Sequence, residues 1–473
     1  MSQSHTVEKI GGTSMSDYNS IKTNIFLNKG THDTIYGRIF VVSAYGGITN
    51  LLLEHKKTGV QGIYGLFASM EGKQGQGTWQ DAFIALKGEM LAINATLFTG
   101  AALDSANAFI VSKLDNANKV LSDLHELCQH GHFSLKDHLQ TVREMLASIG
   151  EIHSAYNTAT LLQQEGVNAR FVDLSGWNID KHLSLDEHIK MAFSDVNVAT
   201  EMPIVTGYSH TEDGLMASFD RGYSEMTFSR IAVVTGAKEA IIHKEFHLST
   251  ADPRLVGEAN ALPIGRTNYD VADQLANLGM EAIHPKAAKG LRQQGIYLRV
   301  KNAFEPDHAG TLITRGYVSE EPRVEIIAGR QNVYAIEVFD QDMVGDASDY
   351  EISIMGIIER FEAYVVNKDL NANTITHYLA ANLKTIQRIE EAVKALYQQA
   401  EVDIRQVCVV SAIGSHMKIP GMMAKCAQAL ADVDVSILAI HQSMRQVDMQ
   451  FILEDGDYDK AVKSLHVHLI EQT

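Results

Sequence analysis

The stretch "TVEKIGGTSMSDY" (residues 6–18) decides the fold of the first part of the chain. Polar and apolar residues alternate up to Ile10, two glycines follow, and a Thr-Ser pair begins a helical pattern. This order predicts a strand, a tight turn and a helix. Glycines let backbone N–H groups approach an anion, and the helix N-terminus adds positive dipole. Lys9, placed just before the glycines, would add a point charge for a phosphate.

A second segment, "SAYGGITN" (43–50), repeats the same design of strand, Gly-Gly, hydroxyl residue and helix start. Two such loops, one of them with a lysine, favour a phosphate-binding edge. Two ordinary strand–helix turns that need glycine only for backbone conformation remain the alternative. No Walker A pattern occurs, and no G-x-G-x-x-G follows a strand.

Strand-like runs bounded by glycine continue through the first two-thirds of the chain, and helical patterns separate them. The runs are 38–47, 201–209, 230–243 and 295–304, and residues 137–166 are the clearest helix. Alternating strands and helices predict an α/β fold with a mostly parallel sheet covered on both faces. Residues 51–150 interrupt the alternation and predict a long helical excursion.

The pattern changes near residues 310–326. Downstream, a strand–helix–strand–strand–helix–strand order occurs twice with a spacing of roughly 70 residues. We therefore predict a first domain at 1–318 and two smaller βαββαβ modules at 319–398 and 399–473.

Composition excludes several classes of protein. The net charge of −18 argues against a nucleic-acid partner, since phosphate recognition needs basic surface. No run of about 18 apolar residues exists, so we predict no membrane segment. Three cysteines without CxxC spacing predict a cytoplasmic protein without disulfides. "LHELCQHGHF" (124–133) lacks a second ligand pair, and we interpret it as a solvated helix end, with no metal site predicted.

The motifs together resemble the aspartate kinases of the amino-acid kinase superfamily. "KIGGTS" (9–14) is similar to their KFGGTS signature, and "VVSAYGGITNLL" (41–52) to their VVSAxxGVTNLL segment. "ASIGEIHSA" (147–155), "TADPRLV" (250–256) and "RVKNAFEPDHAGTLI" (299–313) continue the match in the family's order. The doubled tail resembles paired ACT domains, and the first domain would be the family's three-layer kinase fold.

The resemblance implies transfer of a phosphoryl group from ATP, with Mg²⁺, to the β-carboxylate of L-aspartate, giving 4-phospho-L-aspartate. That carboxylate is already ionised at neutral pH, so no general base is needed. Catalysis would rest on positioning and charge neutralisation. The family's catalytic positions fall on Lys9 and Glu225. Its aspartate-binding positions fall on Ser43, Thr49, Glu151, Arg221, Gly222 and Ser224. Its nucleotide positions fall on Lys9, Gly11, Gly12, Ser14, His243, Lys244, Ser249, Arg254 and Glu281.

Two of these residues would recognise the amino-acid part of the substrate. Arg221 can hold the α-carboxylate with a two-pronged hydrogen bond, and Glu151 can accept from the α-ammonium. The sequence also departs from the family's LGRGGSDYT at "FDRGYSEMT" (219–227), where Tyr223 replaces glycine and Glu225 replaces aspartate. Lys244 and Glu281 stand where the family has aspartate and lysine. We hypothesise a charge swap, with independent drift as the alternative.

The variant motifs are similar to the divergent aspartate kinases associated with ectoine synthesis. In the tail, "SHMKIPGMMAKCAQAL" (415–430) retains an ACT ligand loop, and "DQDMVGDASDYEISIMGII" (340–358) lacks its Pro-Gly. We therefore predict a homo-oligomer through the ACT domains, a dimer or larger, with weak or absent inhibition by lysine or threonine. Binding of another effector stays open. Two other functions also stay open: a sister kinase with a different acceptor, and an inactive amino-acid sensor.

Overall fold

A computed structural model describes most of the chain and divides it into two compact units. The described residues are 5–28, 34–55, 58–69, 78–177, 183–219, 222–280 and 282–472. Unit 1 contains Met1–His247 and Ile283–Arg315, and unit 2 contains Leu248–Ala282 and Gly316–Thr473. Residues 248–282, which we assigned to the first domain, therefore fold with the C-terminal part. The limits 1–318, 319–398 and 399–473 stay predictions.

Unit 1 is built on a sheet whose strands are mostly parallel, as predicted. Its strands are β1 (Thr6–Ile10), β2 (Arg38–Val42), β3 (Ala169–Val172), β4 (Met202–Thr206), β5 (Glu239–Lys244), β7 (Tyr297–Asn302) and β8 (Thr311–Thr314); β6 (Arg266–Asn268) belongs to unit 2. They lie in the order β3-β4-β2-β1-β5-β7-β8, and only the β7–β8 pair among them is antiparallel. The strand that carries Lys9 is thus central.

Helices cover this sheet and form the predicted excursion. They are α1 (Gly12–Met15), α2 (Tyr18–Ile21), α3 (Ile48–Leu52), α4 (Ile63–Ala68), α5 (Trp79–Leu97), α6 (Gly100–Cys128), α7 (Leu139–Gln164), α8 (Leu185–Ala192), α9 (Leu215–Phe219), α10 (Tyr223–Thr235) and α13 (Pro285–Gln294). Short irregular turns occur at Lys22–Phe26 (π) and Leu135–His138 (3₁₀). A capping box between Thr78 and Asp81 starts α5, because each satisfies the other's free backbone N–H.

Unit 2 repeats one supersecondary module. It contains α11 (Pro253–Val256), α12 (Tyr269–Asn277), β9 (Ile326–Phe339), α14 (Ala347–Arg360), β10 (Tyr364–Leu370), β11 (Thr374–Ala380), α15 (Leu383–Leu396), β12 (Glu401–Ile413), α16 (Met422–Ala431), β13 (Ile437–His441), β14 (Asp448–Glu454) and α17 (Tyr458–His466), with short turns at Gln341–Met343, Asp455–Asp457 and Val467–Glu471. From α14 to α15, each element has a counterpart that starts 73 to 75 residues later. This confirms the repeat that the sequence predicted.

The two modules are fused through two long strands. The antiparallel sheet has the order β10-β11-β9-β12-β14-β13, and β9 pairs with β12 from Phe339 opposite Glu401 to Ile326 opposite Ile413. A register shift interrupts this ladder, and Asn332 beside it has a left-handed φ of 56°. The sheet therefore continues across the boundary that we predicted at residue 398.

The sheet of unit 2 has apolar clusters on both of its faces. Met449, Phe451 and Leu453 pack with α16 and α17 on one face. On the other face, Val333 and Ile452 pack with α12. Among the described residues, none of the helices combines the length and the apolar composition that crossing a bilayer requires.

Candidate active site

The two Gly-Gly loops meet at one edge of the sheet in unit 1. Strands β1 and β2 are adjacent and parallel, with Ile10 opposite Val42, so the loops that follow them lie side by side. A Cβ added to Gly12 would lie only 2.5 Å from the carbonyl oxygen of Ala44. Glycine is therefore needed at this position because the backbones of the two loops are in direct contact. The predicted loop edge is present, and it exposes the N-terminus of α1.

Lys9 lies at this edge and pairs with Glu225 at the start of α10. The distance from Nζ to Oε1 is 3.7 Å, and the side chains are 10% and 13% exposed. The other carboxylate oxygen of Glu225 accepts from the backbone N–H of His284 at 2.6 Å. The two residues assigned as catalytic are therefore neighbours, although 215 positions separate them in the sequence.

The charges around Glu225 keep it ionised. Burial by itself would raise the pKa of this carboxyl. The positive charge of Lys9, followed by that of Lys244, outweighs burial and lowers the pKa below its ordinary value. The cations Lys9 and Lys244 and the carboxylate of Glu225 thus lie close together beside the glycine loops, where they can contact a polyphosphate.

The register of the sheet separates two groups of charged residues. In β5, which pairs with β1, Ile242 lies opposite Lys9 and His243 lies opposite Ile10. Because side chains alternate along a strand, Lys9 and Lys244 share one face of the sheet. His243 points to the other face, together with Glu8.

A buried charged network occupies that other face. Arg38 holds Glu8 with two bonds of 2.6 and 2.8 Å, and His243 Nε2 donates to Glu8 at 2.8 Å. Burial would raise the pKa of Glu8, but Arg38 and His243 lower it. Burial lowers the pKa of His243 itself, although Glu8 acts in the opposite direction. The imidazole that we assigned to the nucleotide is therefore bonded to Glu8, away from Lys9.

Glu151, on α7, is buried beside Tyr223, on α10. The Tyr223 hydroxyl donates to Oε1 of Glu151 at 2.9 Å, and Oε2 is buried without a hydrogen-bond partner among the described residues. Burial raises the pKa of Glu151 to about 8, and the Tyr223 bond offsets part of this effect. A buried carboxylate with one unused oxygen is suited to accept from a ligand's ammonium group.

The space next to Glu151 is shaped by a residue that the sequence did not indicate. A Cβ on Gly207, after β4, would lie 3.0 Å from Ser224 Cβ and 3.1 Å from Glu151 Cγ. The hydroxyls of Ser43 and Ser224 are 3.4 Å apart. The ends of β2 and β4 and the start of α10 therefore converge here. The only sequence signal for Gly207 was its place after an apolar strand.

The remaining predicted positions are distributed as follows. Ser14 donates to Glu245 at 3.2 Å, and Thr49 is half-buried in α3. Gly222 precedes α10, and an added Cβ would lie 2.9 Å from the His284 ring. In unit 2, Ser249 donates to the carbonyl of Ala251 at 2.7 Å, and Arg254 pairs with Asp252 at 2.6 Å. Arg221 and Glu281 lie outside the described residues.

Comparisons with known proteins show the family of the chain. Residues 5–302 match the model of the amino acid kinase family, and residues 410–469 match an ACT domain. The chain is 54% identical to the "Aspartate kinase Ask_Ect" of Stutzerimonas stutzeri, over 99% of this chain and 98% of that one. It is 26% identical to the aspartokinase of Schizosaccharomyces pombe, over 70% and 69% of the two chains.

Solved structures share the fold. Escherichia coli aspartokinase III in complex with aspartate and ADP superposes with a TM-score of 0.73 at 20% identity, over 98% of this chain and 99% of that one. Together, the matched regions include both units of the chain. The chain therefore belongs to the amino acid kinase family, and within that family it is an aspartate kinase.

Proposed function

We propose that Lys9 and Glu225 form the catalytic centre of this aspartate kinase, and that Glu151 binds the α-ammonium of L-aspartate. The single observation that carries the proposal is the ion pair of Lys9 and Glu225 beside the two glycine loops. A lysine held in this way presents its charge to a phosphate without having to reorganise during the reaction.

The reaction needs no proton transfer at the nucleophile. An oxygen of the β-carboxylate attacks the γ-phosphorus, the bond from phosphorus to the bridging oxygen breaks, and ADP leaves. Lys9 and Lys244 neutralise the charge on the transferred group, while the N–H groups of the loop at Gly11 and Gly12 hold the phosphates. Glu225 keeps Lys9 in place, and the amide of His284 fixes Glu225 in turn.

Mg²⁺ would arrive with ATP and neutralise its phosphate oxygens. Magnesium prefers oxygen donors, and the carboxylate of Glu245 lies near the loop at Gly11 and Ser14, while that of Glu225 lies beside Lys9. These residues fit a magnesium–nucleotide substrate. In this proposal the role of His243 changes from nucleotide binding to support of β1, because its imidazole is bonded to Glu8.

We also propose that the product feeds ectoine synthesis and that the ACT repeat forms a homo-oligomer. The first proposal rests on the sequence departures at Tyr223 and Glu225 and on the relative named Ask_Ect. The second rests on the ACT match and on the repeated modules of unit 2. Light scattering of the purified chain measures its oligomeric state, and a monomer at all concentrations would contradict that part.

An acyl-phosphate trap tests the main proposal. ATP, Mg²⁺ and hydroxylamine are offered with L-aspartate, L-glutamate, N-acetylglutamate or no acceptor, and the hydroxamate is measured. We expect product with L-aspartate alone, and a fall of about 1,000-fold in kcat for a Lys9→Met variant whose circular dichroism shows that it is folded. The matched control is Lys87→Met, because Lys87 forms an exposed pair with Asp115 on the surface. Undiminished turnover of a folded Lys9→Met variant would refute the site.

A further inference from the structure

Unit 2 contains a polar cavity that the kinase reaction does not use. Its volume is about 520 Å³, which is within the usual range for small-molecule sites. Helix α12 and strands β10, β13 and β14 contribute its polar lining: Gln274, Asn277, Asn367, His441, Asp448 and Gln450. The loops that join the first strand and first helix of each ACT module do not line it.

The polar residues replace apolar packing on one face of the sheet. Gln450 lies opposite His441 in the ladder of β13 and β14, and alternation places Asp448 on the same face. Ile452, two residues further on that face, packs with Val271 and Leu275 in the apolar core against α12. If this face of the sheet only contributed to stability, we would expect apolar side chains to continue to the edge of the sheet.

Hydrogen bonds direct this network toward Asp448. Asn367 donates to Gln450 at 2.8 Å, and Gln450 donates to Asp448 at 2.7 Å. Asp448 and Gln450 are each 5% exposed. Among the described residues, no lysine or arginine pairs with Asp448. Burial raises the pKa of its carboxyl, and the Gln450 hydrogen bond and, to a smaller extent, His441 counteract this in part.

In a hydrogen-bond network with a purely structural role, every buried polar atom would have a partner within the protein. Here Nε2 of His441 is buried without a hydrogen-bond partner among the described residues, while its Nδ1 lies 3.4 Å from Asp369. A buried carboxylate without a cation and a buried ring nitrogen without a partner are both costly. Both costs would be reduced if a ligand supplied a positive group and further polar atoms.

We propose that this cavity binds a small organic cation whose ammonium or amidinium group pairs with Asp448. The carboxamides of Asn367 and Gln274 then bond the remaining polar atoms of the ligand. Among the described residues, no lysine or arginine lines the cavity, so it does not suit a phosphate or a dicarboxylate. The inference goes beyond the phosphoryl transfer and does not depend on the roles assigned to Lys9 or Glu151.

The chain connects this cavity to the catalytic residues. Residues 248–282, which include α12, begin four residues after Lys244 and end two residues before His284, whose N–H holds Glu225. A ligand that fixes α12 therefore fixes a segment whose two ends continue into the active site. We expect its binding to change the kinase rate as well as the stability of unit 2.

Calorimetric titration of the full chain tests the proposal. The cationic probes are putrescine, agmatine and acetamidine, and succinate and inorganic phosphate are the anionic probes. Asp448→Asn removes the charge at constant shape. Asp403→Asn is the matched control, because it removes an exposed carboxylate from the same sheet. Gln274→Trp fills the cavity and keeps Asp448, which covers the case that Asp448→Asn fails to fold.

At least one cationic probe should bind the natural chain and Asp403→Asn equally. Its affinity should fall at least about 10-fold in Asp448→Asn and be lost in Gln274→Trp. The proposal is overturned if no cation binds at up to about 5 mM, if an anion binds as well as the cations, or if Asp448→Asn binds as the natural chain does. Tight cation binding without any change in the kinase rate would overturn the regulatory part.

Discussion

Replacing Tyr223 with phenylalanine isolates one hydrogen bond of the substrate site. The Tyr223 ring is buried and packs edge-on against Tyr208 with ring centres 5.7 Å apart, and phenylalanine keeps this contact. The substitution removes only the hydroxyl that donates to Glu151 at 2.9 Å. A change in kinetics therefore reports on the contacts of that hydroxyl, among which the bond to Glu151 is described.

The size of the effect follows from the charge of the acceptor. A hydrogen bond to a charged group contributes about 1.5–3 kcal/mol, so the substitution should raise the KM for L-aspartate about 10- to 150-fold at pH values where the free enzyme holds Glu151 protonated, and little where Glu151 is already ionised. Burial raises the pKa of Glu151 to about 8, so the free enzyme holds it mainly protonated at neutral pH. Binding of an ammonium requires the ionised form, so this KM should fall in the natural enzyme as the pH rises toward 8.

The hydroxamate assay measures this pH profile for both proteins. Loss of the Tyr223 bond raises the pKa of Glu151 further, so the fall in KM should move to higher pH, with little change in kcat or in the KM for ATP. Tyr18→Phe is the control, because the Tyr18 hydroxyl is also buried but has no hydrogen-bond partner among the described residues. If the profile of Tyr223→Phe coincides with that of the natural enzyme, Glu151 does not bind the ammonium in the way proposed.

Three further predictions concern the same edge of unit 1. Glu151→Gln should become more stable than the natural chain as the pH rises from about 4.5 to 8, by on the order of a few kcal/mol in urea unfolding. A carboxyl with a raised pKa stabilises the fold at low pH, and this contribution is lost as the pH rises through that pKa. An equal pH slope in both proteins would contradict this. Gly12→Ala should lower the unfolding free energy by about 1–3 kcal/mol, because its Cβ would lie 2.5 Å from the Ala44 carbonyl oxygen, whereas Gly11→Ala, with its nearest atom at 3.9 Å, should be close to neutral. Lys244→Met should raise the KM for ATP about 10-fold or more and leave that for L-aspartate unchanged, and an effect on aspartate alone would place Lys244 at the wrong substrate.

The sequence predicted the parts of the site that depend on the order of neighbouring residues along the chain. A strand that ends at two glycines before a helix is a local pattern, so the loops at Gly11 and Gly46 could be placed side by side once the sheet was taken as parallel. The pair of Lys9 and Glu225 joins distant segments. Only the family motifs placed both residues in one centre, because no periodicity relates a strand residue to a helix start two hundred positions away.

The parts that could not be predicted depend on which face of a strand is buried. The alternation in "TVEKI" suggests one polar and one apolar face, yet every residue of β1 is buried because the strand is central. Glu8 therefore needs Arg38 and His243, and local sequence gives no sign of this network. The long shared strands of unit 2 escaped prediction for a similar reason, since the repeat itself suggests two separate modules.

The environments of the two carboxylates explain how the site can distinguish its acceptor. The positive charges of Lys9 and Lys244 lower the pKa of Glu225, so this carboxylate stays ionised at the phosphate end of the site. Burial leaves Glu151 neutral until a cation arrives. A free amino acid supplies that cation and so ionises Glu151, whereas an N-acylated acceptor cannot, and it would leave Oε2 of Glu151 buried without a partner. Under the proposed roles, rejection of N-acetylglutamate then follows from the cost of that unpaired group and does not require a steric barrier.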